Sequence, residues 1–510
     1  MAEGARTRRR FEGTLVTSPV YPPVTAGGGM PCRDEADGRS PATRLRPTLK
    51  IHMVGIGGCG MRGAAAVLLR RGASVSGSDR GESAELQPLV QQGAKIFFDQ
   101  QTSHLPGECD LVVRSAAVKD DNPEIIAARE RGLRILKYSE LLGLLMSDRA
   151  GIAISGTHGK STTTAMTAFA LRQAGADPSF VIGAQVDQLG GGSGVGDGRH
   201  FVVEACEYDR SFLNLHARYA AILNIEEDHL DYYKDLDEII GAFRDFASRV
   251  SPDGVLVVNG ENRHAMQAAA ATQARIETFG FEGDPHWKAE ILGCQRGCFR
   301  FRALRDKRPL IEVTLAIPGR HNVANALATL ALCFHCGIEP EAIAKGLGDF
   351  RGTRRRLTWR GCIGGVNVVD DYAHHPTELQ VTIKAAREYY GPRKLYVVFQ
   401  PHQHSRTRFL LNDFARSFGA ADVVVVPDIY FVRDSQAERD LIDSKALVDG
   451  IRSKGGDARY EPNFTQIVER LADMVEPGDL VITMGAGNVW QIADDLLRRL
   501  ADGRGNGEKH

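Results

Sequence analysis

The sequence predicts an α/β protein of three domains, and three observations carry that prediction. A length of 510 residues leaves room for three domains at about 150 residues each. From Lys50 onward, short β-branched runs alternate with stretches of helical spacing, the pattern of parallel strands covered by helices. That alternation restarts twice, once after a glycine turn near residue 155 and once where the chain changes character around Phe350–Leu357. No repeat at solenoid period competes with this division.

Residues 1–49 come first and differ from the rest. They are rich in Arg, Pro, Gly and Thr, with basic Arg6, Arg8, Arg9 and Arg10 and no apolar core of a secretory signal. They are expected to form a disordered basic tail. The first domain spans 50–148, where KIHMVGI, ASVSGSD, DLVVRSA and LRILKY read as buried parallel strands of a Rossmann-like unit. The central domain spans 149–351 and opens with AGIAIS, a glycine turn and the helix STTTAMTAFALRQAG; FVVEACE, AAILNI and GVLVVN follow as strands. Between them, Gly190–Gly198 (GGGSGVGDG) reads as a surface loop. A third, again Rossmann-like, domain spans 352–495 with strands VNVVDDY, KLYVVFQ, DVVVVPD and DLVITMG, and 496–510 is expected to be a flexible tail.

Composition excludes several classes of partner. The 63 Lys plus Arg nearly cancel the 64 Asp plus Glu, so no global field favours nucleic acid or anionic lipid. No apolar run approaches the ~20 residues of a membrane span. A cytoplasmic protein without nucleic-acid binding or membrane insertion is expected, holding any charged ligand by local arrangements. The nine cysteines form no framework, which fits a reducing compartment. Cys333 and Cys336 are spaced C-x-x-C inside the helical stretch Asn325–Cys336, where buried thiols are expected rather than a redox or zinc pair. Cys294 and Cys298 take the same reading.

Gly55-Ile-Gly-Gly-Cys-Gly60 follows a strand and opens a helix, and Asp79 ends the next strand. Gly55, Gly57, Gly58 and Gly60 would let backbone approach a pyrophosphate at the helix N-terminus, while an acid at that distance meets a ribose hydroxyl. NAD, FAD and nucleotide sugars are all served by such a turn.

The second glycine turn is more specific. In Ser155-Gly-Thr-His-Gly-Lys-Ser-Thr-Thr-Thr164, strand, GKS turn and helix follow one another. The N–H groups from Gly156 through Thr157, His158, Gly159, Ser161 and Thr162 would gather phosphate oxygens, and Lys160 would neutralise the β- and γ-phosphates. Ile154 stands where the longer phosphate-loop pattern has its first glycine, so this is the shorter variant. Ser161 would hold Mg²⁺ by its hydroxyl. Glu204 ends FVVEACE, and Asp228 and His229 follow AAILNI, at the sheet edge where ligands of open α/β sheets gather. Ser161 and Glu204 are therefore expected to hold Mg²⁺, and His229 a second, less fully hydrated metal ion.

With these residues in hand, the chain resembles the Mur ligases, three-domain enzymes of peptidoglycan precursor synthesis. HMVGIGGCGM, SGTHGKSTTT, FVVEACEYDRSF, NIEEDHLDYY, PGRHNVANALA, FRGTRRRL, DDYAHHPTE, FQPHQHSRTR and MGAGN occur in the family's order over residues 50–495. The resemblance is greatest to the members that use ATP and Mg²⁺ to join L-alanine to the carboxylate of UDP-N-acetylmuramate. It implies a first domain that binds the nucleotide sugar, a P-loop ATPase-like central domain, and a C-terminal domain that takes the amino acid.

It also implies roles for single residues. The first glycine turn would receive the UDP pyrophosphate, with Asp79 and Ser115 toward the nucleoside. His321 and Asn322 would contact adenine, although GRHN alone reads as a helix start with Asn322 capping or packing. Asp371 would lie near the ATP ribose. Arg355 and Arg356 would neutralise ATP phosphate as the domains close; alone, Arg354–Arg356 reads as a solvated basic patch. Tyr372, His374 and His402 would line the amino-acid site, and Arg406 would pair with the alanine carboxylate, a planar fork for a planar anion. Lys160, His229, Arg355, Arg356 and His374 are the implied catalytic set, in a monomer or weak homodimer.

The chain departs from the family's pattern at Arg62, Cys206, Tyr208, Gln403 and Asn488. The stretch EIIGAFRDFASRV contains no lysine, so no carbamylated lysine is expected there. Three other readings stay open: a ligase of this fold with another acceptor (peptide-recycling or glutamate-adding), an NAD-dependent oxidoreductase from GIGGCG alone, and a nucleotide-gated scaffold.

Overall fold

The computed structural model describes residues 48–432 and 434–505, all within one compact unit. The expected basic tail lies outside them, apart from Thr48 and Leu49. Three sheets follow one another along the chain. The first holds β1 (Lys50–Val54), β2 (Ser74–Ser78), β3 (Lys95–Phe97), β4 (Leu111–Arg114) and β5 (Arg134–Lys137) in the order β3-β2-β1-β4-β5. Every pairing in it is parallel. The chain reverses its direction of travel across the sheet at β1, so the crevice beyond β1 and β4 is where such a fold takes its ligand.

The central sheet has ten strands: β6 (Ala150–Ser155), β7 (Ser179–Val181), β8 (Ser193–Gly194), β9 (His200–Glu204), β10 (Tyr219–Ile222), β11 (Val255–Asn259), β12 (Arg275–Gly280), β13 (Trp287–Gln295), β14 (Cys298–Arg305) and β15 (Arg308–Thr314). Their order is β15-β14-β13-β12-β11-β10-β6-β9-β7-β8. β6, β9, β10 and β11 are fully buried over most of their length, which is why they read as continuous apolar runs. The antiparallel ribbon β13–β15 extends the sheet on one side. The third sheet is β16 (Thr358–Ile363), β17 (Val366–Asp371), β18 (Leu395–Phe399), β19 (Val423–Val426), β20 (Ala458–Tyr460) and β21 (Leu480–Met484), ordered β16-β17-β21-β18-β19-β20, parallel except for β16.

Three expectations are corrected. The run Gly190–Gly198 is only in part a surface loop: Gly190 and Asp197 are exposed, but Ser193–Gly194 pairs with β7, and Gly192 and Gly196 are buried. Its glycines serve close packing. A Cβ on Gly196 would lie 2.0 Å from the Asp177 carbonyl oxygen, and one on Gly63 of the first domain 2.7 Å from Ser193 Cβ. The last helix runs from Trp490 to Gly505, well past residue 495, so most of the expected C-terminal tail is helical. Cys333 and Cys336 are buried free thiols as expected, but Cys294 is exposed on the β13–β14 ribbon.

Among the described residues, no helix is long and apolar enough to cross a membrane.

Candidate active site

In the first domain, the glycine turn is shaped as its sequence requires. Gly55 has φ +79°, and a Cβ there would lie 2.7 Å from Ser115 Oγ. Gly57 N–H donates to Asp79 Oδ2 at 2.7 Å, and a Cβ on Gly60 would run into the Tyr138 ring. Gly58 is the N-cap of the helix Cys59–Arg70. Arg62 folds over this turn, bonded to the Gly57 carbonyl and paired with Glu85. Asp79 and Ser115 thus both touch the turn itself.

The phosphate loop joins β6 to the helix Lys160–Gln173, whose N-cap, Gly159, has φ 81°. Glycine is required at Gly156 (φ 146°) and Gly159 both for conformation and for space: a Cβ on Gly159 would lie 2.8 Å from Asn325 Oδ1. Thr157 pins the loop to the end of β10, accepting from Glu226 N at 2.9 Å. Lys160 Nζ lies over the loop, donating to the carbonyls of Gly156 (2.6 Å) and Thr157 (3.0 Å) and to Glu207 Oε1 (2.9 Å). Burial works against its charge, but the Glu207 carboxylate prevails and raises its pKa, so it is a cation at neutral pH.

Ser161 Oγ donates to Glu204 Oε1 at 3.1 Å, and Gly183 N–H holds the other carboxylate oxygen at 2.7 Å. His229 Nε2 stands 3.7 Å from Glu207 and 3.8 Å from Asp228. Its backbone is left-handed (φ 54°), and Asp228 Oδ1 accepts its N–H at 2.7 Å. Glu207 Oε2 and His229 Nδ1 are buried without a hydrogen-bond partner among the described residues. An oxygen-rich set with two unpartnered buried polar atoms beside it fits a hard divalent cation.

Asp228 continues the line into the C-terminal domain. Arg406 donates to its Oδ1 from NH2 at 2.6 Å and from Nε at 3.1 Å, both groups being buried. Burial pushes Asp228 up, but Arg406 holds it well below the usual carboxylate range. Arg406 NH1 also meets His402 Nδ1 at 3.3 Å. The His374 ring lies 6.1 Å from that of His402 and 5.3 Å from that of Tyr372, centroid to centroid. Burial lowers His374 to about 4, so it is uncharged at neutral pH. Its Nδ1 lies 3.1 Å from the Tyr372 carbonyl, which can only accept, so Nδ1 carries the ring proton and donates it in that bond, leaving the lone pair on Nε2. One line of contacts thus runs Lys160–Glu207–His229–Asp228–Arg406–His402 across the joint.

Beside it lies a cavity of about 480 Å³, lined by Gly159, Thr162, His321, Asn322, Arg356 and Asp371, among others. Burial, reinforced by Arg356, lowers His321 to about 4. Asn322 does hold its helix start together, donating to the Pro318 carbonyl at 2.7 Å, while still facing the cavity. Burial raises Asp371 to about 6, and it accepts N–H bonds from Leu357 and Ala373. The two arginines part company. Arg356 lines the cavity, 3.4 Å from Glu378. Arg355 is not among the lining residues; it donates to Asp370 (3.0 Å) and to the Gly485 carbonyl (2.7 Å), because its left-handed backbone (φ 59°) turns it into its own domain.

Sequence reasoning missed three carboxylates. Glu207, three residues beyond Glu204, balances Lys160. Glu226 and Glu378 flank His158, at 3.3 Å from Nε2 and 3.5 Å from Nδ1. Burial alone would discharge His158, but these two partners raise it to about 9. The second acid in EACE was the available signal for Glu207; His158's partners had none.

Fold and site define a three-domain α/β protein with a phosphate-loop turn and a line of buried charged groups where the domains meet. Comparison with protein-family models matches residues 50–150 to "Mur ligase family, catalytic domain", 154–333 to "Mur ligase middle domain" and 355–487 to "Mur ligase, glutamate ligase domain". A UDP-N-acetylmuramate--L-alanine ligase of Agathobacter rectalis is 42% identical over 453 residues, covering 88% of this chain and 98% of that protein. Among solved structures, a UDP-N-acetylmuramate-alanine ligase from Thermotoga maritima superposes with a TM-score of 0.75 at 28% identity, covering 89% of this chain and 100% of that one. A murein peptide ligase from Psychrobacter arcticus gives 0.68 at 25%, covering 89% and 98%. The chain belongs to the Mur ligase family.

Proposed function

We propose that this chain joins L-alanine to the carboxylate of UDP-N-acetylmuramate at the expense of ATP, through an acyl phosphate. The observation that carries the reading is the unbroken line from Lys160 to Arg406, which sets a phosphate-binding cation and a carboxylate-binding cation at one joint. Similarity to L-alanine ligases over almost their whole length supports the choice of substrates.

In this reading, adenosine enters the cavity of His321, Asn322 and Asp371, and its phosphates lie on the loop N–H groups. Lys160 exchanges Glu207 for phosphate oxygens, and Arg356 supplies a second charge as the domains close. Arg355 acts at one remove, fixing the C-terminal domain's own loop. A muramyl carboxylate oxygen attacks the γ-phosphorus, the bond to ADP breaks, and an acyl phosphate forms. Arg406 holds the alanine carboxylate in place of Asp228, and neutral His374, with Tyr372 and His402 beside it, accepts a hydrogen bond from the amine. The neutral amine attacks the acyl carbon, the carbon–oxygen bond to phosphate breaks, and the departing inorganic phosphate takes the proton that the amine loses. Ser161 and Glu204 would hold one Mg²⁺ and His229 a second, which when bound would screen the charge of the phosphate oxygens. The glycine turn with Asp79 and Ser115 receives the UDP end. A cytoplasmic monomer or weak homodimer completes the reading.

Phosphate release with ATP, Mg²⁺, UDP-N-acetylmuramate and one acceptor at a time tests it. L-alanine is expected to give the highest kcat/KM. Glycine, L-serine or a peptide outperforming it would remove the assignment of acceptor.

A further inference from the structure

One side-chain cluster at the same joint is left over from the ligation chemistry. His158 comes from the phosphate loop, Glu226 from just beyond β10, and His375 from the N-cap of the C-terminal domain's helix Pro376–Tyr390. One ligating atom from each lies within 4.8 Å of the other two. His158 Nε2 stands 3.3 Å and His375 Nδ1 4.0 Å from Glu226 Oε2, and the two rings are 4.5 Å apart.

What distinguishes this cluster from a chance grouping is the far side of each ring. His375 Nε2 donates to the Glu227 carbonyl at 3.0 Å, and His158 Nδ1 faces Glu378 Oε1 at 3.5 Å. Both imidazoles are thus turned by an acceptor behind them so that the other nitrogen points at Glu226, the arrangement that metal-bound histidines carry. Glu226 is itself steadied by Thr377 Oγ1 at 2.7 Å. On the front side, His375 Nδ1 has only a long 3.3 Å bond from Thr377 N–H to give up. Access is open, since Glu226, His375 and Thr377 line a cavity of about 560 Å³.

We propose that His158, Glu226 and His375 form a second cation site, specific for Zn²⁺ or a similarly borderline divalent ion, that fastens the C-terminal domain to the central one. Two imidazole nitrogens and one carboxylate oxygen make a zinc donor set with one position left for water, whereas Mg²⁺ selects oxygen. Bonds of about 2.0–2.1 Å in a tetrahedron hold donors about 3.4 Å apart, so the widest pair has to close by about 1.4 Å at most. The incoming ion displaces the proton that His158 shares with Glu226, and that proton leaves to solvent. This site is separate from Ser161, Glu204 and His229, and it stands or falls independently of the ligase reading.

The test is a Zn²⁺ competition titration of the full chain against a chromogenic chelator, without nucleotide. Glu226→Gln and His375→Gln are each expected to weaken binding at least about tenfold, with circular dichroism confirming the fold, while His229→Gln leaves this affinity in place. Unchanged affinity in the first two variants, or an equal loss in the third, overturns the proposal. Anomalous scattering at the zinc edge from crystals of the unmodified chain needs no variant. A peak between His158 and His375 is expected; no peak there contradicts the site.

Discussion

Two of the charged clusters that the central domain buries are built differently. Around Glu277, Trp287 Nε1 and His335 Nε2 donate to Oε2 at 2.6 and 2.7 Å, and Arg275 pairs with Oε1 at 2.6 Å. All of its members lie in the central domain. Burial pushes Glu277 up, but the hydrogen bonds from His335 and Trp287 outweigh it and bring it to about 2. Around Glu207, by contrast, the members come from a phosphate loop, two strand ends and another domain, although each cluster leaves a buried carboxylate oxygen without a hydrogen bond among the described residues. Buried charge by itself therefore does not mark a reacting site. Charges whose partners belong to different domains are positioned to exchange those partners for substrate.

That contrast can be broken by mutation. The largest effect belongs to Lys160→Ala, which is expected to lower kcat by about 10²–10³-fold or more while the protein stays folded, because Lys160 serves the loop rather than the core. Steady-state phosphate release with a circular-dichroism control measures both. Arg406→Ala comes next. It is expected to raise the KM for L-alanine at least about thirtyfold, equivalent to about 2 kcal/mol, with a much smaller change for ATP. An equal rise in both would make Arg406 a closure residue.

Glu277→Gln should do the reverse, lowering Tm while leaving kcat and both KM values unchanged. Its pH dependence sharpens the point. Because the folded pKa is depressed to about 2, the carboxylate contributes stability above about pH 4.5, and this is lost as pH falls toward 2. The contribution is on the order of 3 kcal/mol, and the Gln variant should lack that part of the acid dependence in denaturant titrations.

Much of this was legible in the sequence because its signals are local. Each parallel core strand is a short apolar run, and GTHGKS is one contiguous turn. β13–β15 were missed because half-exposed antiparallel strands carry charges such as Arg300, Arg302 and Glu312 on the ladder and so lose the buried-strand pattern. Gly190–Gly198 misled because glycine reads as a turn, whereas at Gly192, Gly194, Gly196 and Gly198 the absence of a side chain lets the run pack against Ala176–Ala184 of its own domain. The pairing of Arg406 with Asp228 joins residues 178 positions apart, and nothing at either end of that interval announces it. Arg355 and Arg356, adjacent in sequence, separate because of one left-handed residue.

The chemistry at the joint is tested most directly by oxygen transfer. With the muramyl carboxylate labelled with ¹⁸O, attack on the γ-phosphorus and later loss of phosphate must carry one labelled oxygen into each inorganic phosphate released. Phosphate bearing one ¹⁸O is the predicted result, and unlabelled phosphate accompanying amide formation would contradict the acyl-phosphate route.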